Sequence, residues 1–463
     1  RSTMSGRAPS SAHDDSYDVT GDRLRNEQWH SLVQVARQRG LVGEAAQQQS
    51  EGTMTAGSGN RSIFTNPDAY ADFDGWHAKA AALRESAGPI KIEDPGFAPF
   101  WAVIHHADVK DVAQRSAVFK NAPHPILVPG PDREGGGPPV RNLVGMDDAE
   151  HRTYRALISE WFLPGAIRKR KAEIDAIAQE RIDALSTGDT RVDFANVVSA
   201  GLPLRFINAT LGIPAGDDSL IHNWTSELFG IDDESVARSD RETTLAQVVK
   251  ELGGYFMGLA GRLRDEPDDS LGSVLANAEV AGERLGPDLL VPYFILLAAA
   301  GHDTVATVLA GGIEALARHP DQLERLKQDP QLIGNGVEEM MRWVTPTKHF
   351  MRNAVSPTTV GSKQIQAGDW MLLSWASANR DESVFDQPFR FDVARQDVRE
   401  HLAFGIGPHR CIGSTLARLQ LNTFFEKFLP RVDLLELDGD VEYSRTTFVS
   451  TFKSLPIRLE LSR

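Results

Sequence analysis

The sequence predicts a mainly α-helical protein with a smaller β-rich lobe. From about residue 149 to 348, apolar side chains recur at helical spacing, in segments separated by prolines and glycines. Short strand-like runs occur earlier, at residues 90–93 and 100–105, and they predict the β-rich lobe. Asp108 then has the character of a helix N-cap. The chain has 463 residues, of which 41% are hydrophobic, so it can bury a sizeable core.

Residues 1–60 differ in composition from the rest of the chain. They are rich in serine, glutamine and glycine, except at residues 22–39, where apolar side chains keep a rough helical period. We therefore expect a flexible extension with one amphipathic helix, followed by a single domain over residues 61–463. Within that domain, residues 123–139 contain too much proline and glycine for regular structure. They predict a binding loop or lid, or alternatively a plain connector.

The charge of the chain argues against nucleic acid as a partner. It carries 64 acidic and 49 basic side chains, and the formal net charge of −15 has the wrong sign for binding phosphate backbones. The longest mainly apolar run, residues 289–300, is shorter than the roughly 20 residues that span a bilayer. We expect this run to be a buried helix, and we expect no membrane partner.

Cys411 is the only cysteine of the chain. A single thiol cannot form an intramolecular disulfide, a zinc ribbon or a four-thiolate iron–sulfur site, so we expect a cytoplasmic protein. The thiol ends a glycine-rich loop, and a helix is predicted from Ser414 to about Phe428. The positive N-terminus of that helix and Arg410 favour the thiolate, which is a nucleophile or a metal ligand. The alternative is an inert, buried thiol.

Residues 404–413, FGIGPHRCIG, match the pattern FGxGxHxCxG at every fixed position. This pattern is the haem-binding signature of the cytochrome P-450 superfamily, which the chain resembles from about residue 65 to its C-terminus. The resemblance implies the cytochrome P-450 fold and a haem b whose proximal iron ligand is Cys411. It also implies that Phe404 shields the sulfur and that His409 lies near a haem propionate.

Glu339 and Arg342 are three residues apart on a predicted helix, so their side chains can pair. Such a pair, taken alone, is usually a solvated surface contact. With residues 343–346, however, the pair resembles the ExxR helix of the same superfamily. Arg390 matches the third member of its buried charge network. The resemblance implies a structural network that holds the haem-loop region in place.

Asp303 and Thr304 continue the apolar run of residues 289–300. An acid and an alcohol inside such a helix are costly unless they are satisfied. A threonine hydroxyl can bond back to a carbonyl one turn earlier, and the aspartate can pair with a distant arginine, so a purely structural role stays open. The segment resembles the distal helix of the superfamily, where the acid and the alcohol deliver protons to bound dioxygen.

His151 and Arg155 are four residues apart and share one face of a predicted helix. The segment resembles the superfamily helix that holds the haem propionates, and Arg352 matches another propionate-binding arginine. These three side chains and His409 would then meet two carboxylates, an arrangement that charge-assisted hydrogen bonding favours.

The resemblance implies a haem-thiolate monooxygenase that uses dioxygen and two electrons to hydroxylate a small to medium apolar substrate. Residues 97–101, 348–352 and 447–449 resemble soluble bacterial terpene hydroxylases, which favours a terpenoid or a similar molecule. Five residues match the expected pocket walls, although each is equally credible as ordinary core. They are Leu297, Ala300, Thr347, Phe350 and Val449.

The sequence contains no evident flavin or nicotinamide fingerprint and no cysteine set for an iron–sulfur cluster. Electrons must therefore come from separate proteins, and we expect a ferredoxin and a ferredoxin reductase. Arg152, Arg410 and the basic run 168–171 can offer a docking patch, although a charge run is more often a solvated face. Three alternatives stay open: a cysteine hydrolase, a haem-binding sensor or carrier, and a peroxide-driven hydroxylase.

Overall fold

The computed structural model describes most of the chain, and the description begins at Ser62. The described residues are 62–130, 141–186, 190–199, 201–230, 233 and 238–462. The predicted extension of residues 1–60, with its amphipathic helix, lies outside them, as does the second half of the proline- and glycine-rich segment. The first half of that segment is bonded to the fold, because the Met351 N–H donates to Pro125 O at 2.8 Å and the Leu127 N–H to His349 Nε2 at 3.2 Å.

Helices dominate the described residues, as the sequence predicts. They are α1 (Pro67–Ala71), α2 (Phe73–Arg84), α3 (His106–Gln114), α4 (Asp148–Ser159), α5 (Pro164–Lys169), α6 (Lys171–Ser186), α7 (Phe194–Ser199), α8 (Leu202–Thr210), α9 (Asp218–Phe229), α10 (Arg241–Asp265), α11 (Leu271–Ala276), α12 (Pro287–Arg318), α13 (Pro320–Gln328), α14 (Ile333–Val344), α15 (Trp375–Ala378) and α16 (Ser414–Phe428). The predicted bounds of α16 are confirmed. Helix α3 begins before Asp108, which lies in its first turn and is not its N-cap.

Strands form a smaller part, and the predicted runs at residues 90–93 and 100–105 are confirmed as β1 and β2. The strands are β1 (Ile90–Ile92), β2 (Phe100–Val103), β3 (Phe119–Lys120), β4 (Arg191–Asp193), β5 (Glu279–Val280), β6 (Glu283–Arg284), β7 (His349–Ala354), β8 (Thr358–Val360), β9 (Lys363–Ile365), β10 (Trp370–Ser374), β11 (Val432–Leu437), β12 (Glu442–Tyr443), β13 (Phe452–Ser454) and β14 (Pro456–Leu461).

The largest sheet joins strands from two distant parts of the chain. Its order is β1-β2-β10-β7-β3, and β10 runs parallel to β2 while the other pairs are antiparallel. A three-stranded sheet, β11-β14-β4, joins the C-terminal strands to the helical region. Because β7 follows α14 after a short turn, it joins this sheet to the helical core.

Helix α12 is the central element of the helical core. Gly311 and Gly312 allow α14 to approach closely. A Cβ at Gly311 would lie 2.5 Å from Val344 Cγ2, and one at Gly312 would lie 2.8 Å from Met340 Sδ.

Helix α12 has 32 residues, longer than the apolar run in the sequence suggests, and by length and composition alone it could cross a membrane. However, 61% of its most apolar 18-residue stretch is buried inside the protein, as expected of a core helix.

The pair Glu339 and Arg342 is fully buried on α14. Arg342 Nε lies 2.7 Å from Glu339 Oε2, and Arg342 Nη2 lies 2.8 Å from Oε1. The third charged member is Arg395, whose Nε lies 3.1 Å from Glu339 Oε2. The prediction of Arg390 in this role is wrong: its side chain is exposed, and it contributes only its backbone carbonyl, which accepts from Arg342 and Arg395.

We expect Glu339→Gln to destabilise the protein by about 3–5 kcal/mol, because two buried guanidinium groups would lose their shared counter-charge. The free energy of unfolding in guanidinium chloride measures this change. Arg390→Ala is the control, and its effect should stay within about 0.5 kcal/mol, as for other exposed side chains. Equal destabilisation by the two substitutions would contradict the assignment of Arg395 as the third member.

Candidate active site

A cavity of about 270 Å³ lies between α12, α4, β7 and the loop that carries Cys411. Its lining side chains are mostly apolar. The nitrogen, oxygen and sulfur side chains among them belong to Asn121, His151, Arg155, Thr304, Met341, Thr347, Arg352, Trp375, His409, Cys411 and Gln420. The structure thus brings residues from distant parts of the sequence to one cavity.

Backbone geometry holds the Cys411 loop against α3. Gly405 and Gly407 have φ of 62° and 77°, a region that glycine adopts without strain. A Cβ at Gly407 would lie 2.4 Å from Ala113 O, so only glycine permits this close approach. The Cys411 N–H donates to Phe404 O at 2.9 Å, and helix α16 begins three residues after the thiol. The loop therefore presents the sulfur to the cavity.

The Cys411 thiol lies deep in the protein, and its exposed surface faces the cavity. Burial raises the pKa of this thiol above its usual value. The Gly413 backbone N–H and the positive charges of Arg155, Arg418 and Arg410 act in the opposite direction, as the sequence predicts, but they do not outweigh burial. A positive metal ion at the sulfur would supply the stabilisation that the thiolate still lacks.

Phe404 belongs to a polar network behind the loop. The Arg418 guanidinium lies 4.5 Å from the centre of the Phe404 ring, and Arg418 Nε donates to Glu338 Oε1 at 2.6 Å. His401 Nε2 lies 2.8 Å from Glu338 Oε2. Burial alone would raise the pKa of Glu338, but the hydrogen bonds from His401 and Arg418 hold it at about 2. Sequence reasoning missed Glu338, since only its neighbour belongs to a recognisable pair.

The four predicted propionate-binding side chains line the same cavity. His151 stacks on His409 with ring centres 4.0 Å apart, and the buried Nε2 of His151 has no hydrogen-bond partner among the described residues. Arg155 Nη2 donates to Arg410 O at 2.8 Å, which ties α4 to the cysteine loop. Arg352 is 3% exposed and donates from Nη1 to its neighbour's carbonyl at 2.7 Å.

This cluster has an excess of positive charge. Burial, together with the charges of His151, Arg352 and Arg155, lowers the pKa of His409 to about 2. Burial also lowers the pKa of Arg352 to about 10. The nearest described acid, Asp147, lies 3.9 Å from His409 Nε2. Its carboxylate already accepts the Asn121 and Ala122 backbone N–H groups.

The residues present therefore fit a haem. A dianionic edge would balance the positive excess and give the unpartnered nitrogen of His151 an acceptor, which the two propionates of haem b provide. Asp147 is a member that sequence reasoning missed. Its place just before α4 indicates only a helix cap, yet its side chain makes no capping hydrogen bond.

Thr304 and Asp303 occupy different positions relative to the cavity. Thr304 lines it and donates from Oγ1 to Ala300 O at 3.0 Å. Asp303 is 5% exposed and is not a lining residue; burial raises its pKa to about 8. No arginine or lysine among the described residues lies within ion-pair distance of Asp303, whose Oδ1 is instead 3.2 Å from His302 Nε2. The sequence suggested an arginine there and did not single out His302.

Four of the five predicted pocket walls line the cavity: Leu297, Ala300, Thr347 and Phe350. Val449 does not line it, so that prediction is wrong. Val449 is 2% exposed, and its backbone forms an isolated antiparallel bridge with Thr347. It therefore packs beside a wall residue and is not part of the wall.

Comparisons with known proteins agree with this geometry. A sequence model of the cytochrome P450 family matches residues 261–461. Cytochrome P450-terp from a Pseudomonas species is 35% identical over 85% of this chain and 95% of its own length. Linalool 8-monooxygenase from Pseudomonas putida is 31% identical over 86% of this chain and 99% of its own. The crystal structure of CYP108D1 from Novosphingobium aromaticivorans matches with a TM-score of 0.78 and 36% identity, over 86% of this chain and 97% of that one.

The match to P450-terp covers most of both chains. The cysteine hydrolase and the haem sensor or carrier are thereby set aside. The chain belongs to the cytochrome P450 family and is a haem b monooxygenase that acts on an apolar substrate with dioxygen.

Proposed function

We propose that the protein hydroxylates a small to medium apolar molecule, a terpenoid or a similar compound, inside the 270 Å³ cavity. The observation that carries the proposal is that Cys411 and Thr304 line one mostly apolar space, with four basic side chains on the same walls. The overall reaction joins the substrate, dioxygen, two electrons and two protons, and it yields an alcohol and water. The lining residues come from distant segments of the chain, which argues for an assembled site.

The cofactor would be held at two ends. The Cys411 sulfur would bind the iron, and His151, Arg155, Arg352 and His409 would bind the propionates. When bound, haem supplies the activation of dioxygen and the transfer of one oxygen atom into an unactivated C–H bond. Phe404, fixed by its contact with a guanidinium group, would shield the sulfur from water.

Asp303 and Thr304 would deliver protons from α12. Because burial raises the pKa of Asp303 to about 8, its carboxyl group is mostly protonated at neutral pH and can act as an acid. The Thr304 hydroxyl, now bonded to Ala300 O, can turn to donate into the cavity. A peroxide-driven hydroxylase would receive its oxygen already protonated, so this pair favours the dioxygen-dependent reaction.

The walls favour an apolar substrate. Leu297, Ala300 and Phe350 offer carbon surface, and the described lining residues of α12 include no charged side chain. Thr347 is the neutral group that can accept or donate one hydrogen bond to a substrate oxygen. The names of two relatives, P450-terp and linalool 8-monooxygenase, support a terpenoid.

Electrons would come from a ferredoxin and its reductase, docked over the Cys411 loop. Arg152 is exposed on α4, and Arg410 is exposed on that loop. Arg155 of α4 donates to Arg410 O and so joins the helix to the loop. The run 168–171 contributes less, because Arg170 and Lys171 are offset by Glu173 and Asp175 at 3.7 and 2.9 Å.

We also propose a cytoplasmic location for the protein. The sulfur of Cys411 must stay a thiol until it binds iron. A reducing compartment preserves it in that form without further protection.

The test of the function is turnover under ¹⁸O₂ with a ferredoxin, its reductase and a panel of terpenes, alkylbenzenes, fatty acids and steroids. We expect one labelled oxygen atom in the alcohol formed from a terpene. Thr304→Ala should lower the product formed per electron pair about tenfold, a change of about 1.4 kcal/mol in the difference between the barriers to hydroxylation and to uncoupled reduction of oxygen. Thr225→Ala is the matched control, since Thr225 makes the same bond to a carbonyl one turn earlier, at 3.1 Å to Ile221 O.

Unlabelled product, or no oxidised product from any member of the panel, would count against the proposal. A Thr304→Ala variant that couples electrons to product as well as Thr225→Ala would remove the hydroxyl from the mechanism.

If ferredoxin docks on Arg152 and Arg410, the turnover of the enzyme with ferredoxin as the electron donor should fall as ionic strength rises, because salt screens the attraction between exposed charges. Arg152→Glu and Arg410→Glu should raise the KM for ferredoxin at low salt and flatten its salt dependence. Lys91→Glu reverses an exposed charge on β1 and is the control. The docking site would be refuted if turnover were independent of salt and all three variants had the same KM.

A further inference from the structure

The partner of Asp303 is the unexpected feature of α12. In the described structure, the ion-pair contact of the Asp303 carboxyl is the 3.2 Å approach of His302 Nε2 to Oδ1. Its Oδ2 is buried and has no hydrogen-bond partner there. Because a buried charge is costly, this environment favours the protonated form of Asp303, and His302 is the side chain in contact with it.

His302 connects Asp303 to a second helix. Its side chain is fully buried, and its ring packs edge-on against His222 of α9, with ring centres 5.4 Å apart and planes at 74°. His222 is only half-buried, and its Nδ1 lies 3.5 Å from Ser226 Oγ. Two imidazoles therefore connect the interior of α12 with the partly exposed side of α9, and an imidazole can accept a proton at one ring nitrogen while it gives one up from the other.

The other charged groups near these helices are engaged elsewhere. Arg205 of α8 pairs with Asp218 of α9 at 2.6 Å. Asp233 pairs with Lys453 of β13, also at 2.6 Å. Arg238 similarly binds the carboxylates of α9 and α10, at 2.7 and 2.8 Å. Burial is accordingly the cause that raises the pKa of Asp303, and burial also lowers the pKa of His222.

We propose that His302 exchanges protons with Asp303, and that His222 completes the route from the surface of α9. A proton enters His302 on the side of His222 as another leaves Nε2 for Asp303 Oδ1. The proton on Asp303 Oδ2 then passes toward Thr304 and the cavity. One proton enters from solvent for each proton delivered, and no electron moves along this route. The inference rests on the proposed role of Asp303 and adds the residues that supply it.

The first test is the protonation of Asp303 itself, which needs no turnover. The C=O infrared band of the protonated acid is assigned by its loss in Asp303→Asn and is followed as pH changes. We expect a midpoint near 8 in the parent protein. His302→Leu should raise the midpoint by about half a pH unit or more, because the carboxylate loses its contact with the His302 imidazole. His302→Gln should shift it less.

The second test is the holoenzyme in H₂O and D₂O with a saturating substrate. His302→Leu, His302→Gln and His222→Gln should each lower the product formed per electron pair, by about tenfold for His302, and increase the solvent isotope effect. Glutamine keeps a donor but cannot pass a proton, so it should not restore coupling. His319→Gln, at the C-terminal cap of α12, is the matched control and should behave as the parent protein.

Each remaining outcome overturns a defined part of the proposal. If the midpoint for Asp303 is the same in the parent and in His302→Leu, His302 does not act on Asp303. If His302→Gln restores full coupling, His302 positions the acid and does not relay protons. If His302 variants couple normally while Asp303→Asn does not, the relay is refuted and the role of Asp303 stands. If Asp303→Asn also couples normally, the proposed role of Asp303 fails first.

Discussion

The site depends on the ion pairs of a single buried carboxylate. Glu339 of α14 binds Arg342 on its own helix and Arg395 at the end of the segment that precedes the Cys411 loop. Arg342 also donates to Asn379 O and Pro388 O, so the same cluster holds three points of that segment. Since α14 packs on α12 through glycines, the cluster indirectly sets how far the sulfur lies from the central helix. The cost of burying these charges is repaid only while all of the partners are present.

The electrostatics of the cavity divide it into regions with different chemistry. One region has an excess of positive charge from Arg155 and Arg352, beside the neutral imidazoles of His151 and His409, and it suits a dianionic edge. The walls from α12 and from Phe350 of β7 are apolar and suit a hydrocarbon. Asp303, on α12 but outside the lining, is a buried acid that stays protonated at neutral pH because burial raises its pKa. Helix α12 thus carries apolar wall residues as well as Asp303 and Thr304, and β7 carries both Phe350 and Arg352, so the fold gathers charged, apolar and protonatable groups around one cavity.

Local patterns in the sequence predicted the elements that carry their own signal. Short-range spacing was enough to predict the bounds of α16 and the helical pair of Glu339 and Arg342. A ten-residue motif was enough to identify Cys411 as the centre of the site. Contacts between distant segments were harder. Arg395 was missed because nothing in its neighbourhood distinguishes it from Arg390, and only the turn of the chain decides which guanidinium faces Glu339. Val449 was misplaced for a similar reason, because its bridge to Thr347 is a long-range backbone contact. The pairing of β10 with β2 is equally invisible to periodicity.

The central claim is that Cys411 binds the haem iron as a thiolate. It is tested most directly by the absorption spectrum of the purified, reduced protein under carbon monoxide, beside a Cys411→Ala variant. We predict a strongly red-shifted Soret band in the parent protein that is lost in the variant. An unchanged band in Cys411→Ala, or no haem band in freshly expressed protein supplied with haem, would contradict the account.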